Sequence, residues 1–339
     1  MAQADNPLVS MIVLSYNQAR FVVETLESVK AQTYKPTELV IIDDCSSDGS
    51  ATVIENWLQK NGIVSTFIRH QKNQGVCKSL NEALAVTSGK YISMVASDDI
   101  WVPDKIARQV KIMESQPDEV GVLYSDAFQI DTVGNSLPDM YISAKGSHLT
   151  EVPPRRLIGA LLVNNFIPGM TTLVRRSCYD VVGLYDEDMP TEDWDMWLRI
   201  ARHYSFVYSS MPVAKYRIHP DSFSHSDHVS MVTGTIKILA KQLDLGHLDK
   251  EQKSSVARDL AVYRKALAAL HFDLAAVGRR NGKRAATMKH LAACVRSGWF
   301  RLPGRFIDWI SLLGYGLLGL RRLRWWRRLN PESTYKARH

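Results

Sequence analysis

The first hundred residues alternate between apolar runs and segments whose apolar residues recur with helical spacing. The apolar runs have the length of buried strands, and they cover residues 9–14, 38–42, 65–69 and 91–95. Helical spacing follows each of the first three runs, in residues 20–32, around Trp57, and after Gly75. This regular alternation predicts an α/β fold in which a mostly parallel sheet carries helices on both faces.

Beyond Pro103 the alternation becomes less regular. Further predicted elements are helices at 106–113 and 194–203, strands at 121–125, 170–174 and 214–218, and a polar loop at 131–156. Ala-rich amphipathic segments then occupy 236–246, 252–278 and 281–297. We therefore expect an α/β domain at 1–230, a helical region at 231–298 and a distinct tail at 299–339.

Carboxylates cluster where the predicted strands end. Asp43-Asp44 and Asp98-Asp99 each follow an apolar run, and Glu192-Asp193-Trp194-Asp195 opens a helical segment. The carboxyl ends of parallel strands line the crevice in which open α/β sheets bind ligands. Because clustered carboxylates repel one another, they usually serve a metal ion or a proton transfer. The layout predicts a nucleotide site bridged by a metal, with a separate acid/base carboxylate.

The cysteines and the N-terminus give the expected compartment. Four cysteines lie far apart and form no CxxC pair, which argues against a zinc site and for a reducing environment. Residues 1–7 contain no basic residue ahead of the first apolar run, so we do not expect a signal peptide.

The positive charge is concentrated at the C-terminus. Residues 261–339 carry 17 Lys and Arg against 3 Asp and Glu, while the rest of the chain has a net charge of −7 in a total of +7. Such a segment favours an anionic partner.

Within that tail, the apolar segment Phe306–Leu320 has fifteen residues, including Asp308, and is shorter than the roughly 20 apolar residues of a spanning helix. Arginines and tryptophans flank it, a pattern typical of an interfacial anchor on an anionic membrane surface. The alternative is a soluble helix packed on the body. The sequence shows no known nucleic-acid-binding motif that would support nucleic-acid binding.

Six short motifs occur in a fixed order along the chain. They are Val13–Asn17, Val40–Gly49, Asn73–Gly75 with Asn81, Ser97–Asp99 with Pro103, Thr191–Arg199 and Tyr216–Pro220. Together they resemble the family-2 inverting glycosyltransferases over about residues 8–225. The resemblance implies a GT-A fold, a nucleotide-sugar donor such as a UDP- or dTDP-sugar, and a divalent Mn²⁺ or Mg²⁺. It also implies single-displacement chemistry that inverts the anomeric carbon.

The nucleotide contacts are expected from the motifs at the strand ends. By resemblance, Asp43 and Asp44 bind the base and ribose, although either could instead cap the following helix. The other nucleotide-binding residues implied are Ser15, Tyr16, Asn17, Asn81, Asp98 and Arg217.

The metal ligands implied are Asp98, Asp99 and His219. Carboxylate oxygens suit Mg²⁺ or Mn²⁺, which would neutralise charge on the leaving nucleoside diphosphate. Many family members carry a further Asp where this chain has Ala96, which shifts the ligand role onto the adjacent pair. A solvated turn and a structural histidine are the alternatives.

The general base implied by the resemblance is Asp193, with Glu192 and Trp194 as acceptor or sugar contacts. Inversion requires one carboxylate to take the proton of the acceptor hydroxyl. Asp195 lies two residues further along, so a helix would turn it to another face, where it could pair with Arg199. The alternative is a helix N-terminus that merely favours acidic residues.

The expected function is transfer of a sugar to a hydroxyl of a glycan or lipid-linked glycan, as in bacterial polysaccharide, O-antigen or glycolipid synthesis. The expected location is cytoplasmic and peripheral, on the inner face of the plasma membrane.

A nucleotidyltransferase that makes nucleotide-sugars is the first alternative, but Leu14–Ala19 lacks the glycines of a phosphate loop. The second alternative is a non-catalytic nucleotide-sugar-binding scaffold, suggested by Ala96 alone. No GxGxxG follows the first strand, which disfavours a dehydrogenase.

Overall fold

The computed structural model describes residues 6–146, 152, 157–222 and 227–296. Contacts divide the chain into two compact units, Met1–Asp227 and His228–His339. The predicted tail at 299–339, with its proposed anchor, lies outside the described residues.

The first part of the N-terminal unit repeats a strand and a helix. Its elements are β1 (Val9–Ser15), α1 (Val22–Lys30), β2 (Thr37–Asp43), α2 (Ser50–Asn61), β3 (Thr66–Arg69), α3 (Val76–Val86) and β4 (Tyr91–Ala96). The four strands pair in parallel in the order β3-β2-β1-β4. The prediction of alternating strands and helices is confirmed here.

The second part of this unit is less regular. Its elements are β5 (Ile100–Trp101), α4 (Lys105–Glu114), β6 (Val120–Ile130), β7 (Ser136–Met140), α5 (Tyr141–Lys145), α6 (Leu157–Val163), β8 (Leu173–Arg175), α7 (Arg176–Val182), α8 (Asp193–Ile200) and β9 (Ser205–Arg217). The sheet continues from β4 as β8-β6-β9-β5, with β7 beside β6.

In this half, β6 and β9 pair in parallel, whereas β8 is antiparallel to both β4 and β6. Two expectations are corrected. The polar loop predicted at 131–156 contains β7 and α5, and the strand predicted at 214–218 begins at Ser205. Both errors arise because short polar elements and an alternating strand give a weak apolar signal.

The core lies on both faces of the parallel strands, as expected for a sheet covered by helices on each side. Alternate residues of β1, Val9, Met11 and Val13, are buried in one cluster with Leu26 and Val29 of α1. Each aliphatic side chain buried in this way contributes roughly 1.5–3 kcal/mol. This packing fixes the sheet and therefore the positions of the loops that leave its strands.

Lys105 is an exception in this core because it is a fully buried cation at the start of α4. Its ammonium donates to Ser93 Oγ and Gln109 Oε1, both at 2.6 Å, and to the carbonyl oxygen of Thr172 at 3.1 Å. It also lies 4.6 Å from the centre of the Trp101 ring. Burial holds the pKa of Lys105 well below its usual value.

The C-terminal unit is helical over its described residues. It contains α9 (His228–Asp244), α10 (Lys250–Arg280) and α11 (Arg284–Arg296). Asp249 and Gln252 form a capping box that begins α10. A small core joins α10 to α11 and includes Phe272 and Leu291. None of the described helices is both long and apolar enough to cross a bilayer.

Candidate functional site

The loops after β1 and β2 are joined by polar contacts at the carboxyl edge of the sheet. Asn17, at φ 54°, uses its backbone N–H to donate to Ser46 Oγ at 2.9 Å. The Asn17 side-chain oxygen accepts from the backbone N–H of Ser47 at 2.8 Å. Asp48 caps α2 by accepting from the Ser50 N–H, and its other oxygen accepts from the Ala19 N–H at 2.8 Å. The two loops therefore form one rim.

The Asp43-Asp44 pair supports this rim from inside. Asp43 is fully buried and accepts from the backbone N–H and the hydroxyl of Ser46 at 2.9 and 2.6 Å. Asp44 is buried and accepts from His70 Nδ1 and the Gln74 and Gly75 N–H groups at 2.7, 2.7 and 2.8 Å. Protein donors contact both carboxylates in this conformation, and direct contact of the pair with a base stays a prediction.

His70 is the buried partner that the sequence did not reveal. Its Nε2 faces Glu82 at 2.9 Å, so the ring lies between two carboxylates. Burial alone lowers the pKa of His70, but the contacts with Asp44 and Glu82 outweigh burial and raise it above the usual value. The ring therefore helps to hold Asp44 against the loop that ends at Gly75.

Groups available to a ligand lie next to these supports. The Tyr16 side chain is half exposed at the end of β1. The hydroxyls of Ser15 and Ser97, at the ends of β1 and β4, are buried without a hydrogen-bond partner among the described residues. Ala96 is exposed at the end of β4, where it pairs across the sheet with Leu14. This edge thus offers the aromatic face of Tyr16 to a ligand, while the two unpaired hydroxyls are enclosed beneath it in this conformation.

Asp98 and His219 meet, as the sequence predicted, although 121 residues separate them. The Nε2 of His219 lies 3.0 Å from Asp98 Oδ2, while its Nδ1 is buried without a partner among the described residues. The ring also packs on Phe21, with the ring centres 4.9 Å apart.

Asp99 points elsewhere. Its Oδ1 accepts from the Arg217 backbone N–H at 2.9 Å, and it is buried. Burial, and then the neighbouring charge of Asp98, hold the pKa of Asp99 well above its usual value. In this conformation the Asp99 carboxylate supports the end of β9, and its role as a metal ligand stays a prediction.

Asp98 and His219 could supply two of the ligands that a divalent cation needs. Two neighbouring ligands on an octahedral ion at about 2.1 Å lie about 3.0 Å apart, which matches the separation of Asp98 Oδ2 and His219 Nε2. One imidazole and one carboxylate suit Mn²⁺ better than Mg²⁺. No group of three or more His, Cys, Asp and Glu within the described residues is arranged to hold a metal. Further ligands would have to come from a substrate or water.

Arg217 was expected to bind the nucleotide, and this stays a prediction. Its guanidinium is buried and donates to the carbonyl oxygen of Asp98 at 2.9 Å and to those of Asp131 and Thr132, both at 3.3 Å. It also donates to Glu24 Oε2. In this conformation the side chain therefore fixes the backbone around Asp98.

Glu192 and Asp193 begin α8 and are each partly exposed. Burial, and then the charge of Asp193, raise the pKa of Glu192 to about 8. Burial also raises the pKa of Asp193, while a hydrogen bond from Asn165 and then the charge of Lys145 oppose that rise. Both carboxyls of this pair therefore have pKa values above their usual range.

The residues that follow Asp193 are placed by packing. Trp194 is buried and its Nε1 donates to the Leu161 carbonyl oxygen at 2.7 Å, and its contact with a sugar stays a prediction. Trp197 is also buried, as a core residue. Asp195 pairs with Arg199 at 2.9 Å, which confirms the predicted i,i+4 contact.

Asn81 was expected to contact the nucleotide but is a structural residue here. Its side-chain oxygen accepts from the Tyr185 N–H at 2.8 Å, and its amide donates to the Tyr185 carbonyl oxygen at 2.9 Å. This reciprocal pair uses the amide within the protein. It ties α3 to the segment that leads to Glu192.

Tyr141 is a further polar residue near this region, and the sequence did not single it out. Burial, and then the neighbouring Tyr216 and the charge of Asp193, raise the pKa of its phenol. Its hydroxyl accepts from Lys145 Nζ at 3.0 Å. The short helix that carries both residues lies in the segment expected to be a loop, which explains why periodicity did not reveal them.

A family model and several relatives are similar to this chain. The family model described as glycosyl transferase family 2 matches residues 10–180. An uncharacterized glycosyltransferase of Rickettsia felis is 30% identical over 64% of this chain and 35% of its own length. Another, of Rickettsia prowazekii, is 27% identical over 77% of this chain and 80% of its own length. The aligned region thus spans about a third of the first relative and most of the second.

Two solved structures share the fold. A mannosyltransferase from Pyrobaculum calidifontis, in complex with GDP-Man and Mn²⁺, has a TM-score of 0.57 at 19% identity, covering 97% of this chain and 85% of that one. Residues 1–349 of S. aureus TarS, in complex with UDP-GlcNAc, give 0.55 at 18% identity, covering 85% and 81%. These likenesses support the GT-A fold expected from the sequence. The family match over half of the chain, together with this fold, means that the protein belongs to glycosyl transferase family 2.

Proposed function

We propose that this protein is an inverting glycosyltransferase that moves a sugar from a nucleotide-sugar, such as a UDP- or dTDP-sugar, to a hydroxyl of a glycan or lipid-linked acceptor. The observation that carries the proposal is the contact of Asp98 with His219 beside the rim that the loops after β1 and β2 form. Asp98 and His219 form one acidic group, and Glu192 and Asp193, at the start of α8, form the other. A sugar held between them would have its leaving group beside the first and its acceptor beside the second.

The donor side holds the nucleotide and its diphosphate. The nucleoside is proposed to lie against Tyr16 and the rim formed by the loops after β1 and β2, where the hydroxyls of Ser15 and Ser97 have no partner among the described residues. Asp98 and His219 would hold a divalent ion there. When bound, that ion neutralises the charge that develops on the leaving diphosphate.

The acceptor side supplies the base. The pKa of Glu192 is raised to about 8, whereas the hydrogen bond from Asn165 and the charge of Lys145 oppose the rise in the pKa of Asp193, which makes Asp193 the better candidate for the base. The hydrogen bond from Asn165 orients the Asp193 carboxylate and stabilises its charged form. Asp193 would then take the proton of the acceptor hydroxyl while that oxygen attacks the anomeric carbon on the face opposite the leaving group.

The proposed acceptor is membrane-linked, because the basic, Trp- and Arg-rich residues 299–339 suit an anionic membrane surface. This would place the enzyme on the cytoplasmic face of the plasma membrane. A chain ending at Gly298 should lose binding to vesicles that contain anionic lipid but retain turnover of a water-soluble acceptor analogue. If the full chain ignores such vesicles, the membrane part of the proposal is wrong.

The test of the reaction is a screen of UDP-, dTDP- and GDP-sugars for release of nucleoside diphosphate in Mn²⁺, with and without EDTA. Metal-dependent release from one of these donors supports the proposal, and the anomeric configuration of the product tests inversion. Release of pyrophosphate from a nucleoside triphosphate and a sugar 1-phosphate would instead indicate a nucleotidyltransferase. Tight binding of a nucleotide-sugar with no turnover on any glycan acceptor would indicate a scaffold.

A further inference from the structure

An exposed cationic side chain, Arg20, lies in the turn that joins β1 to α1. The Phe21 N–H closes this turn by donating to the Gln18 carbonyl oxygen at 2.9 Å. The Gln18 N–H in turn donates to Ser50 Oγ at 2.9 Å, at the start of α2. Because the turn is bonded to the neighbouring loop in this way, it is part of the rim, and the position of the Arg20 backbone is fixed.

The Phe21 ring joins Arg20 to the Asp98–His219 pair. The guanidinium carbon of Arg20 lies 5.2 Å from the centre of this ring. The same ring packs on His219, with the ring centres 4.9 Å apart, and His219 Nε2 lies 3.0 Å from Asp98 Oδ2. A guanidinium within about 6 Å of an aromatic centre is attracted to the ring. Arg20 and the proposed metal ligand His219 therefore contact one and the same side chain.

Two arginines lie over this ring, and they differ in availability. The guanidinium carbon of Arg217 is 4.8 Å from the Phe21 ring centre, but that side chain is buried and donates to backbone carbonyl oxygens and to Glu24. Arg20 is exposed, and its guanidinium has no hydrogen-bond or ion-pair partner among the described residues. Arg20 is therefore the arginine of the two that can take up an anionic ligand.

Other cations near the candidate site are less well placed. Arg69, at the end of β3, pairs with Glu55 at 3.3 Å. Lys145 donates to the Tyr141 hydroxyl and to the Asn165 carbonyl oxygen, and neither of these contacts, within the part of the chain that the structure describes, joins it to the rim or to the metal pair.

A diphosphate would pass beside Arg20. In the proposed function the nucleoside lies against Tyr16, four residues before Arg20 on the same rim, and the diphosphate is bound by an ion on Asp98 and His219. The diphosphate must join these two places. Since carboxylates repel phosphates, a cation on this path lowers the cost of binding. The planar guanidinium group can also donate to two phosphate oxygens at once.

We propose that Arg20 binds the diphosphate of the donor between the rim and the Asp98–His219 pair. The inference rests on the proposed function, because it assumes a nucleoside diphosphate at this site. Packing on Phe21 orients the guanidinium before the ligand arrives. Since negative charge on the diphosphate increases as the sugar leaves, the contact strengthens toward the transition state. Arg20 therefore contributes to turnover as well as to donor binding.

The test compares nucleoside diphosphates with their nucleosides. Binding of UDP, dTDP and GDP, and of uridine, thymidine and guanosine, is measured by calorimetry in Mn²⁺ for the wild type, Arg20→Met and Arg20→Lys. Arg20→Met should weaken binding of the preferred diphosphate by about 10- to 100-fold, as expected for hydrogen bonds to a charged group. Nucleoside binding should not change. Arg20→Lys should recover part of the loss, because it keeps the charge but not the paired donors.

The matched control is Arg258→Met, which removes an exposed arginine from α10. The Arg258 guanidinium donates to Ser254 Oγ at 3.2 Å, on its own helix. This variant should bind each diphosphate as the wild type does. Because the Arg20 side chain is exposed, Arg20→Met should fold normally, which thermal unfolding verifies.

Four outcomes separate the inference from the proposed function. If the wild type binds none of the diphosphates and releases none from nucleotide-sugars, the proposed function itself fails, and the inference fails with it. If the wild type binds one of them and Arg20→Met binds it equally well, the inference is overturned while the function stands. Equal loss of nucleoside and diphosphate binding would mean that Arg20 shapes the rim, which also overturns it. If a higher Mn²⁺ concentration restores wild-type binding in Arg20→Met, Arg20 acts on the ion through Phe21 and His219, and the inference is likewise overturned.

Discussion

Two regions of the candidate site are held together by contacts between residues that differ greatly in their separation along the sequence. Around the ends of β1 and β2, the pairs Asn17–Ser46, Asn17–Ser47, Asp44–Gln74 and Asp44–Gly75 are 29 to 31 residues apart. Around the ends of β4 and β9, the pairs Arg217–Asp98, His219–Asp98 and Arg217–Glu24 are 119, 121 and 193 residues apart. The first region follows from repetition of one strand–helix unit, whereas the second depends on distant segments returning to the sheet.

This difference indicates how roles are divided. The regular region provides a rim whose buried carboxylates are satisfied by nearby protein donors, so its conformation is set before any ligand arrives. The long-range region includes Asp99, whose pKa is raised well above its usual value, and Glu192 and Asp193 at the start of α8 also have raised pKa values. Perturbed ionisation is typical of residues that take part in chemistry. We therefore expect substitution of Asp193 to affect turnover more than donor binding.

The largest expected effect is that of Asp193→Asn, which keeps the shape of the side chain but cannot accept a proton. Turnover should fall by about 10²–10⁴-fold, and donor affinity should hardly change. The measurement is kcat with saturating donor and acceptor, together with donor binding by calorimetry. Asp195→Asn is the control, because Asp195 pairs with Arg199 and should affect stability instead. Loss of donor binding in Asp193→Asn would show that this region binds the donor and would remove the contrast between the regions.

The second prediction concerns the pair at the boundary of the two regions. Asp98→Ala should lower the affinity for UDP in Mn²⁺ by about 10²-fold or more, because one of the two proposed metal ligands is lost. EDTA should have the same effect on the wild type and little additional effect on the variant. Calorimetry with and without Mn²⁺ measures this. If the variant binds UDP in Mn²⁺ as tightly as the wild type, Asp98 is not a ligand.

The third prediction tests whether the long-range region stabilises the fold. Arg217→Ala leaves the buried carbonyl oxygens of Asp98, Asp131 and Thr132 without their donor, so the free energy of unfolding should fall by about 3 kcal/mol. Urea denaturation followed by circular dichroism measures it. Arg108→Ala removes an exposed contact with Asp104 and should cost about 0.5 kcal/mol or less. Equal effects of the two substitutions would contradict a structural role for Arg217.

The smallest predicted effect is a shift in pH dependence. The hydrogen bond from Asn165 favours the ionised form of Asp193 and so lowers its pKa. In Asn165→Ala that contact is lost, the pKa of Asp193 rises, and the acid limb of the pH–rate profile should move to higher pH. Rates measured from pH 5 to 9 at saturating substrate test this, with Asn135→Ala on the β6–β7 turn as the control. An acid limb that stays in place would mean that Asp193 does not set it.

The sequence predicted the regular region well because its information is local. Apolar runs locate β1 to β4, and the polar residues after them lie at the predicted edge. The contact of Asp98 with His219 also follows from the resemblance. The contacts that Arg217, Asn81 and Trp194 make in this conformation could not be predicted, because a motif gives residue identity and not the direction of a side chain. Whether Arg217 faces phosphate or carbonyl oxygens depends on Glu24 and Thr132, which no local pattern connects to it.

Tyr141, Lys145 and His70 were missed for a related reason. Tyr141 and Lys145 lie on a five-residue helix that is too short to show periodicity. His70 follows β3 as a single residue, and only the three-dimensional fold reveals the carboxylates on each side of it. Such residues could be found in sequence only through covariation between distant positions.

Lys105 gives this protein a built-in chemical reporter. Its amine is enclosed by Ser93, Gln109 and Thr172 and is inaccessible in the folded state, whereas amine-acylating reagents react with exposed lysines within minutes. Acylation of Lys105 can therefore occur only in molecules in which α4 has separated from the sheet. Mass spectrometry of the peptide that contains it would count opening events of the core in a mixture of proteins, without purification and without any knowledge of the substrate.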